Sequence, residues 1–474
     1  MATLNTAFSI ATGALDAEQA AINIIANNTA NANTPGYTNQ IPEWQANDPV
    51  TINGTSYGQG VTMTGPSSQR DLVLEQRIQQ QTQLQQQTDA RQSALEQIQN
   101  IFSAATSASS SGSSLDIGAS IAGFFSALSG LQQNPADNSQ RQAVLNAATT
   151  LVSSFQSASS QLRQEQGALD QQGASIVAQV NSLTKAIAQL NAQISQTSGN
   201  KDAGQLEDQR QYDIQQLSQL VGIHEITTED NSLTITTSSG ALLVSKGQAF
   251  SLSTSVSGGL THISDYQGND ITTGLAGGGG QLGGVLTVRD QDIPQMQSAL
   301  DTLAFDFGTA INTQNAQGWD ANGVAGGAIF NLPSSASGAA SSISVAITDP
   351  AKIAAAGGSG GVGNGSSDDT NLESMLQLQN QPIVGGDTAA TYYSSFVSAL
   401  GSLVSQVSTQ NTAQQASLTQ LETQRNSLSA VNLNDEAAAL ENLQQAYQAA
   451  SKLFTILDTI MASAINLGVE TTVA

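Results

Sequence analysis

The sequence predicts an α+β fold that is predominantly α, with terminal coiled-coil helices, a long-helix rod domain and a mostly β inserted outer domain. Three observations predict it. Residues 433–467 place Leu440, Leu443, Tyr447, Ala450, Phe454, Leu457, Met461 and Ala464 at alternating three- and four-residue steps, which is the seam of a heptad helix. Residues 1–28 carry a matching stripe of smaller groups through Leu4, Phe8, Ala11, Leu15, Ile22 and Ile25. Between these ends, long helical periodicity gives way once to β-branched alternation, as in Leu233-Thr234-Ile235-Thr236-Thr237.

Each terminal stripe lacks a partner within its own segment. One seam of apolar groups is too small to order some thirty residues alone. The partners expected are the opposite terminus and neighbouring copies. The expectation is therefore of termini that are loose in the monomer and helical in an assembly. A heptad stripe is more often an ordinary intramolecular core, and both readings stand on the spacing alone.

Composition narrows the function classes. The chain has 474 residues, enough for several domains, and is 39% hydrophobic but only 4% aromatic and 11% charged. Its polar surface is carried by Gln, Ser, Thr and Asn. A net charge of −24 without a Lys/Arg cluster argues against nucleic acid and against an anionic membrane. With no cysteine there is no disulfide and no thiolate metal site. No apolar run reaches the roughly 18 residues of a membrane span, so no membrane insertion is expected. The first residues have neither a basic n-region nor an apolar h-region, so no cleaved leader is expected.

Taken in order, the first helix is expected to end in the Asn-rich stretch Asn27 to Thr38, which contains Pro35, Gly36 and Tyr37. Residues 41–66 read as extended, with a hairpin at Asn53-Gly54. Helices are expected over 70–102, 115–131, 141–194 and 205–220, with a small-residue break at 103–114 and a turn at 195–204. Gly167 and Gly173 weaken the longest of these by about 1 kcal/mol each. Strands follow over 223–252, then a flexible joint at Gly277 to Gly280, a helix over 286–312, a Gly/Ser-rich region over 317–366, and a long helix over 392–428. The boundaries read as a terminal coiled-coil domain (1–40 and 431–474), a rod (41–222, 287–316 and 380–430) and an outer domain (223–286 and 317–379).

Catalytic patterns are poor. His224-Glu225 begins like a zinc-protease helix, but position 228 is Thr and the second ligand is missing. Gly357-Gly358-Ser359-Gly360-Gly361 fits the nucleophile-elbow spacing, and Gly358, Gly360 and Gly363 fit GxGxxG. Both sit in low-complexity sequence without strand–turn–helix context. Asp320 and Asn322 start like a calcium loop, yet Val324, Ala325 and Asn331 stand where a ligand, the tight-turn Gly and the closing carboxylate belong. Glu229-Asp230 and Asp368-Asp369 read as loop solvation. The expectation is no enzyme, no cofactor and no metal.

An Ala-rich helix running into an Asn-rich stretch and then Pro35-Gly36-Tyr37 resembles the N-terminus of bacterial flagellar axial proteins. Further segments are similar, in order, to the hook-associated protein 1 family within that group: Asn134-Pro135-Ala136-Asp137 before Arg141, Asp208-Gln209-Arg210, Gly280 to Leu286 followed by Arg289-Asp290, Asp349 to Ala356, and Gln444 to Ala450. Asn39 departs from the Arg common in the family. The resemblance implies a structural component of the flagellum at the hook–filament junction, extracellular and exported through the type III channel. It implies as partners copies of itself, the hook protein, the second junction protein or filament, and a cytosolic export chaperone. Another axial protein, a secreted enzyme on an axial scaffold, or an adhesin stay open as alternatives. With no catalytic constellation in view, the assembly interface is the best candidate site: Leu4, Phe8, Leu15, Ile22, Ile25, Pro35, Gly36, Tyr37, Leu440, Leu443, Tyr447, Phe454, Leu457 and Met461.

Overall fold

A computed structural model describes every residue except 1, 53, 104–115, 197–203, 228–232 and 471–474. Met1, Asn53 of the expected hairpin, nearly all of the small-residue break, most of the 195–204 turn and the Glu229-Asp230 pair lie outside the described residues. Twelve α-helices are described: α1 (Ala2–Asn31), α2 (Leu72–Ser103), α3 (Ile117–Gln133), α4 (Asn138–Gln196), α5 (Gln205–Leu220), α6 (Thr272–Leu275), α7 (Gly280–Thr287), α8 (Ile293–Gln317), α9 (Ala339–Ser342), α10 (Thr370–Gln377), α11 (Ala389–Ser429) and α12 (Leu433–Glu470).

Helix α4 is the spine. Its 59 residues extend about 90 Å at 1.5 Å per residue. Its apolar groups recur at helical spacing and are buried from Val144 to Ile194 against α3, α5, α7, α8 and the strands. Gly173 does not break it. The groups nearest to where its Cβ would stand belong to Leu282, Val285 and Leu286 at 3.8–4.0 Å, ordinary contact distances that place this turn against α7 with room for a methyl group. Helices α2 and α11 run against each other beside the spine. At one end Phe124, Phe125, Phe307 and Phe330 form an aromatic cluster, with centroids 5.7–6.2 Å apart, within the favourable range for edge-to-face and tilted pairs.

Strands β1 (Gln40–Ala46) and β4 (Val61–Ser68) form an antiparallel ribbon, tipped by the hairpin of β2 (Val50–Ile52) and β3 (Thr55–Tyr57). The four-stranded sheet β5 (Ile223–Thr227), β6 (Leu233–Thr237), β7 (Leu242–Ser245) and β8 (Gln248–Ala249) is an antiparallel meander. A further hairpin pairs β9 (Ser253–Ser257) with β10 (Leu260–Ser264). In β6 the burial alternates residue by residue, as expected of a strand with one face on the core. Region 317–379 holds less strand than its sequence suggests: two-residue pairs at 330–331 with 344–345 and at 358–359 with 362–363. Asparagines hold its loops. Asn312 accepts from the Ile329 and Phe330 amides at 2.8 and 2.9 Å, and Asn315 accepts from the Ala354 amide at 2.9 Å.

The segments that read as family-like become structural fixtures. Arg141 is fully buried and donates Nε to the Pro135 carbonyl at 2.8 Å and Nη1 to the Ile353 carbonyl at 2.5 Å, which ties the Asn134 turn to the 349–356 segment. Arg289 pairs with Asp170 at 2.7 Å and with Asp290 at 2.8 Å. It lies in a π-helical turn, Val288–Asp292, that joins α7 to α8, where one continuous helix from 286 is expected. The joint at Gly277 to Gly280 is a tight bend, with positive φ at Gly277, Gly279 and Gly280. Gly222 sits so close to it that a Cβ would meet the Gly278 carbonyl oxygen at 1.8 Å.

Candidate assembly interface

Helices α1 and α12 pack against each other. Phe8 meets Phe454 with ring centroids 4.7 Å apart. Near the other end, the Asn28 amide donates to Glu436 Oε2 at 3.1 Å. Residue numbers rise on one helix as they fall on the other, so the pair is antiparallel. Twenty residues of α1 span the same distance as eighteen of α12, about 30 Å against 27 Å at 1.5 Å per residue.

Leu457 and Ile25 are buried, while Leu4, Phe8, Leu15, Ile22, Leu440, Leu443, Phe454 and Met461 are half-buried. Tyr447 is 37% exposed. Ala17, Ala21 and Ile24, which the sequence reading passed over, are buried too. They belong to α1, which lies between α12 and the β1–β4 ribbon. A helix covered on two sides carries apolar groups beyond one seam.

Pro35, Gly36 and Tyr37 lie not in the seam but at a joint between the terminal pair and the rod. The helix ends within the Asn-rich stretch, at Asn31, and Asn28 inside its last turns is buried and fully used. Its Nδ2 donates to Asn39 Oδ1 at 2.7 Å and to the Gln40 carbonyl at 2.8 Å, besides Glu436. Its Oδ1 accepts from the Tyr37 hydroxyl at 2.8 Å and from the Gln40 amide at 3.1 Å. Burial, with Asp208 and Glu436 nearby, pushes the Tyr37 phenol up to about 12, so it stays a donor. Gly36 has φ +79°, and a Cβ there would lie 2.9 Å from Tyr212 Cβ, so both backbone and space favour glycine. Arg70 pairs with Asp208, and Asp208 also accepts from the Thr38 amide at 3.3 Å. The Asn39 amide donates to the Ser429 carbonyl at 2.9 Å. Four segments distant in sequence therefore meet at one hydrogen-bonded node.

The face that sequence reasoning missed is a second stripe on α12. Leu453, Ile456, Ile460 and Ile465 are 46%, 56%, 48% and 62% exposed. The first three, with Ala446 and Ala449, repeat at three- and four-residue steps, each one residue before a member of the first seam. They therefore form a neighbouring seam rotated by about 100°. The heptad is visible in the sequence, but the first seam uses only one of the two apolar positions in each turn.

The catalytic look-alikes resolve into ordinary structure. His224 is an exposed residue of edge strand β5. Ser359 belongs to an exposed two-residue strand. Asp320 Oδ1 accepts from the Asn322 and Val324 amides at 2.8 and 2.9 Å, which closes a turn. Among the described residues no cluster of three metal-ligating side chains occurs, and no helix is long and apolar enough to cross a membrane.

Comparison with known proteins fits this geometry. A family model described as "Flagella basal body rod protein" matches residues 8–38, and one described as "Flagellar hook-associated protein FlgK helical domain" matches residues 95–330. Proteins named flagellar hook-associated protein 1 are similar over 96% of this chain: 26% identical in Salmonella typhimurium and 27% in Escherichia coli, each over 98% of the relative, and 28% in Bacillus subtilis over 96%. The solved flagellar hook junction protein FlgK of Burkholderia pseudomallei is 19% identical, with a TM-score of 0.66 over 74% of this chain and 99% of its own. A nested helical body closed by paired terminal helices, with these matches, defines an axial protein of the bacterial flagellum. Within that class, the chain belongs to the flagellar hook-associated protein 1 family.

Proposed function

We propose that this chain is a structural subunit at the junction between flagellar hook and filament, and that it assembles through its terminal helices. One observation carries the assembly reading: α12 has two apolar seams and α1 covers only one. The exposed seam of isoleucines and Leu453 gains from burial against another copy at about 25 cal/mol per Å². The inner seam then builds the subunit, and the outer seam joins subunits. The candidate residues divide accordingly. Those of α1 and the first seam form the pair, whereas Pro35, Gly36 and Tyr37 fix its angle to the rod.

We assign 1–40 with 431–474 to the assembling unit, 41–222, 287–316 and 380–430 to the rod, and 223–286 with 317–379 to an outer region facing solvent. The chain acts without catalysis, the hook protein and the second junction protein or filament are its neighbours, and export runs through the flagellar type III channel. A cysteine-free chain with a thinly covered terminal pair suits passage through a narrow channel, with a cytosolic chaperone over the apolar C-terminal helix beforehand. Deletion of 433–474 tests the assembly reading: the central region should stay folded while incorporation into flagella is lost, and normal incorporation would overturn it.

A further inference from the structure

Asparagine followed by glycine is a chemically labile pair. The backbone nitrogen of the glycine can attack the side-chain carbonyl carbon of the asparagine, and glycine has no Cβ to hinder the approach. The pair occurs three times, at Asn53-Gly54, Asn322-Gly323 and Asn364-Gly365. Asn53 lies outside the described residues. The other two stand on exposed loops of region 317–379. Both glycines have positive φ and open space where a Cβ would stand. Sequence and exposure therefore do not separate these two sites. Hydrogen bonding does. The Gly323 amide, which is the attacking group, donates to the Asp320 carbonyl at 3.1 Å, and Asp320 Oδ1 holds the Asn322 and Val324 amides on either side at 2.8 and 2.9 Å. The Gly365 amide donates to no group among the described residues. The Asn364 side chain is held only by a long bond, Nδ2 to Asp368 Oδ2 at 3.4 Å.

We propose that Asn364 is a site of spontaneous modification, and that it loses its side-chain amide ahead of Asn322. The Gly365 nitrogen bonds to Asn364 Cγ and the Cγ–Nδ2 bond breaks. The departing nitrogen takes the proton given up by the Gly365 amide and leaves as ammonia. Water then opens the cyclic succinimide at one of its two carbonyls and yields aspartate or isoaspartate. Either product adds a carboxylate close to Asp368, whose Oδ2 accepts from the Gly357 amide at 2.6 Å and whose Oδ1 accepts from the Thr370 hydroxyl at 2.9 Å. Asp368 thus ties the 358–363 hairpin to the start of α10. The modification exchanges a donor for a like charge at that tie, which loosens it.

The test incubates the full natural chain, folded, at mildly alkaline pH. Peptides are quantified by mass spectrometry, which reads the change from amide to acid, and isoaspartate is identified by enzymatic methyl transfer. The peptide holding Asn364 should convert roughly fivefold faster than the one holding Asn322, the factor that one backbone hydrogen bond of ordinary net strength supplies. In urea, where both loops are released, the two rates should draw together. Asn364→Gln should remove the fast site. Asn364→Asp supplies one product directly and should speed exchange of the Gly357 amide hydrogen; unchanged exchange would overturn the stated effect on the hairpin. Equal rates in the folded chain, a faster Asn322, or a preference that persists undiminished in urea would each overturn the proposal.

Discussion

Glu225 is a carboxyl group whose charge the fold opposes. It lies on β5 opposite Ile235, alongside α2, whose Gln83 donates to the neighbouring Ile223 carbonyl at 3.2 Å. Burial pushes its carboxyl up to about 7 from an ordinary value of 4.5, and Glu75 on α2 adds repulsion. Gln79 and Arg210 oppose the rise without cancelling it. Glu75 is itself raised, chiefly by burial, despite Arg425 and Arg70. A carboxyl raised in the folded state holds its proton more tightly there than in the unfolded chain. Its contribution is complete below about pH 4.5 and is lost as pH rises through about 7. At about 1.4 kcal/mol per pH unit over that window, the loss is about 3 kcal/mol. Glu225→Gln keeps the shape and removes the titration. The urea midpoint of the natural chain should fall between pH 5 and 8.5 relative to the variant, with the two nearly equal at pH 5. A difference between the chains that does not change with pH would refute the reasoning.

Two further outcomes follow from the terminal pair and its joint. Asn28→Ala leaves Tyr37, the Gln40 backbone and Glu436 without their shared partner. At about 1–3 kcal/mol per stranded buried group, this should free the terminal pair from the rod, seen as protease cleavage within 31–40 at unchanged stability of the central region. In the isolated full-length monomer, amides of 2–35 and 435–470 should exchange hydrogen far faster than those of α4, whose core residues are fully buried. Strong protection in the termini of a verified monomer would contradict a pair completed only by neighbours.

Where one physical signal dominated, the sequence was sufficient. Leu440 to Met461 and Leu4 to Ile25 were legible because a seam repeats without interruption, and α4 because its apolar spacing outweighs two glycines. The Asn-rich stretch marked where α1 ends, because asparagine ordinarily favours turns, but not what Asn28 does there. Asn28 bonds to Tyr37, Asn39, Gln40 and Glu436, and no local rule contains those partners. Helix α7 was hidden for a similar reason. Gly283 and Gly284 are poor helix formers, and a Cβ on Gly284 would meet the Gln87 carbonyl oxygen at 2.3 Å, so close packing on α2 overrides propensity. The outer stripe was missed because Leu453, Ile456 and Ile460 share the heptad of the first seam. Only exposure in the folded chain separates the two.

The claim that the second seam of α12 joins copies of this chain is tested most directly by Ile456→Asp. Ile456 is 56% exposed, so the charge costs the single subunit little, and the Phe8–Phe454 contact of the inner seam stays in place. The measurement is the amount of variant chain on isolated flagella against its amount in the cell. The expected result is a soluble, folded chain that is absent from flagella. A variant that incorporates like the natural chain would contradict it.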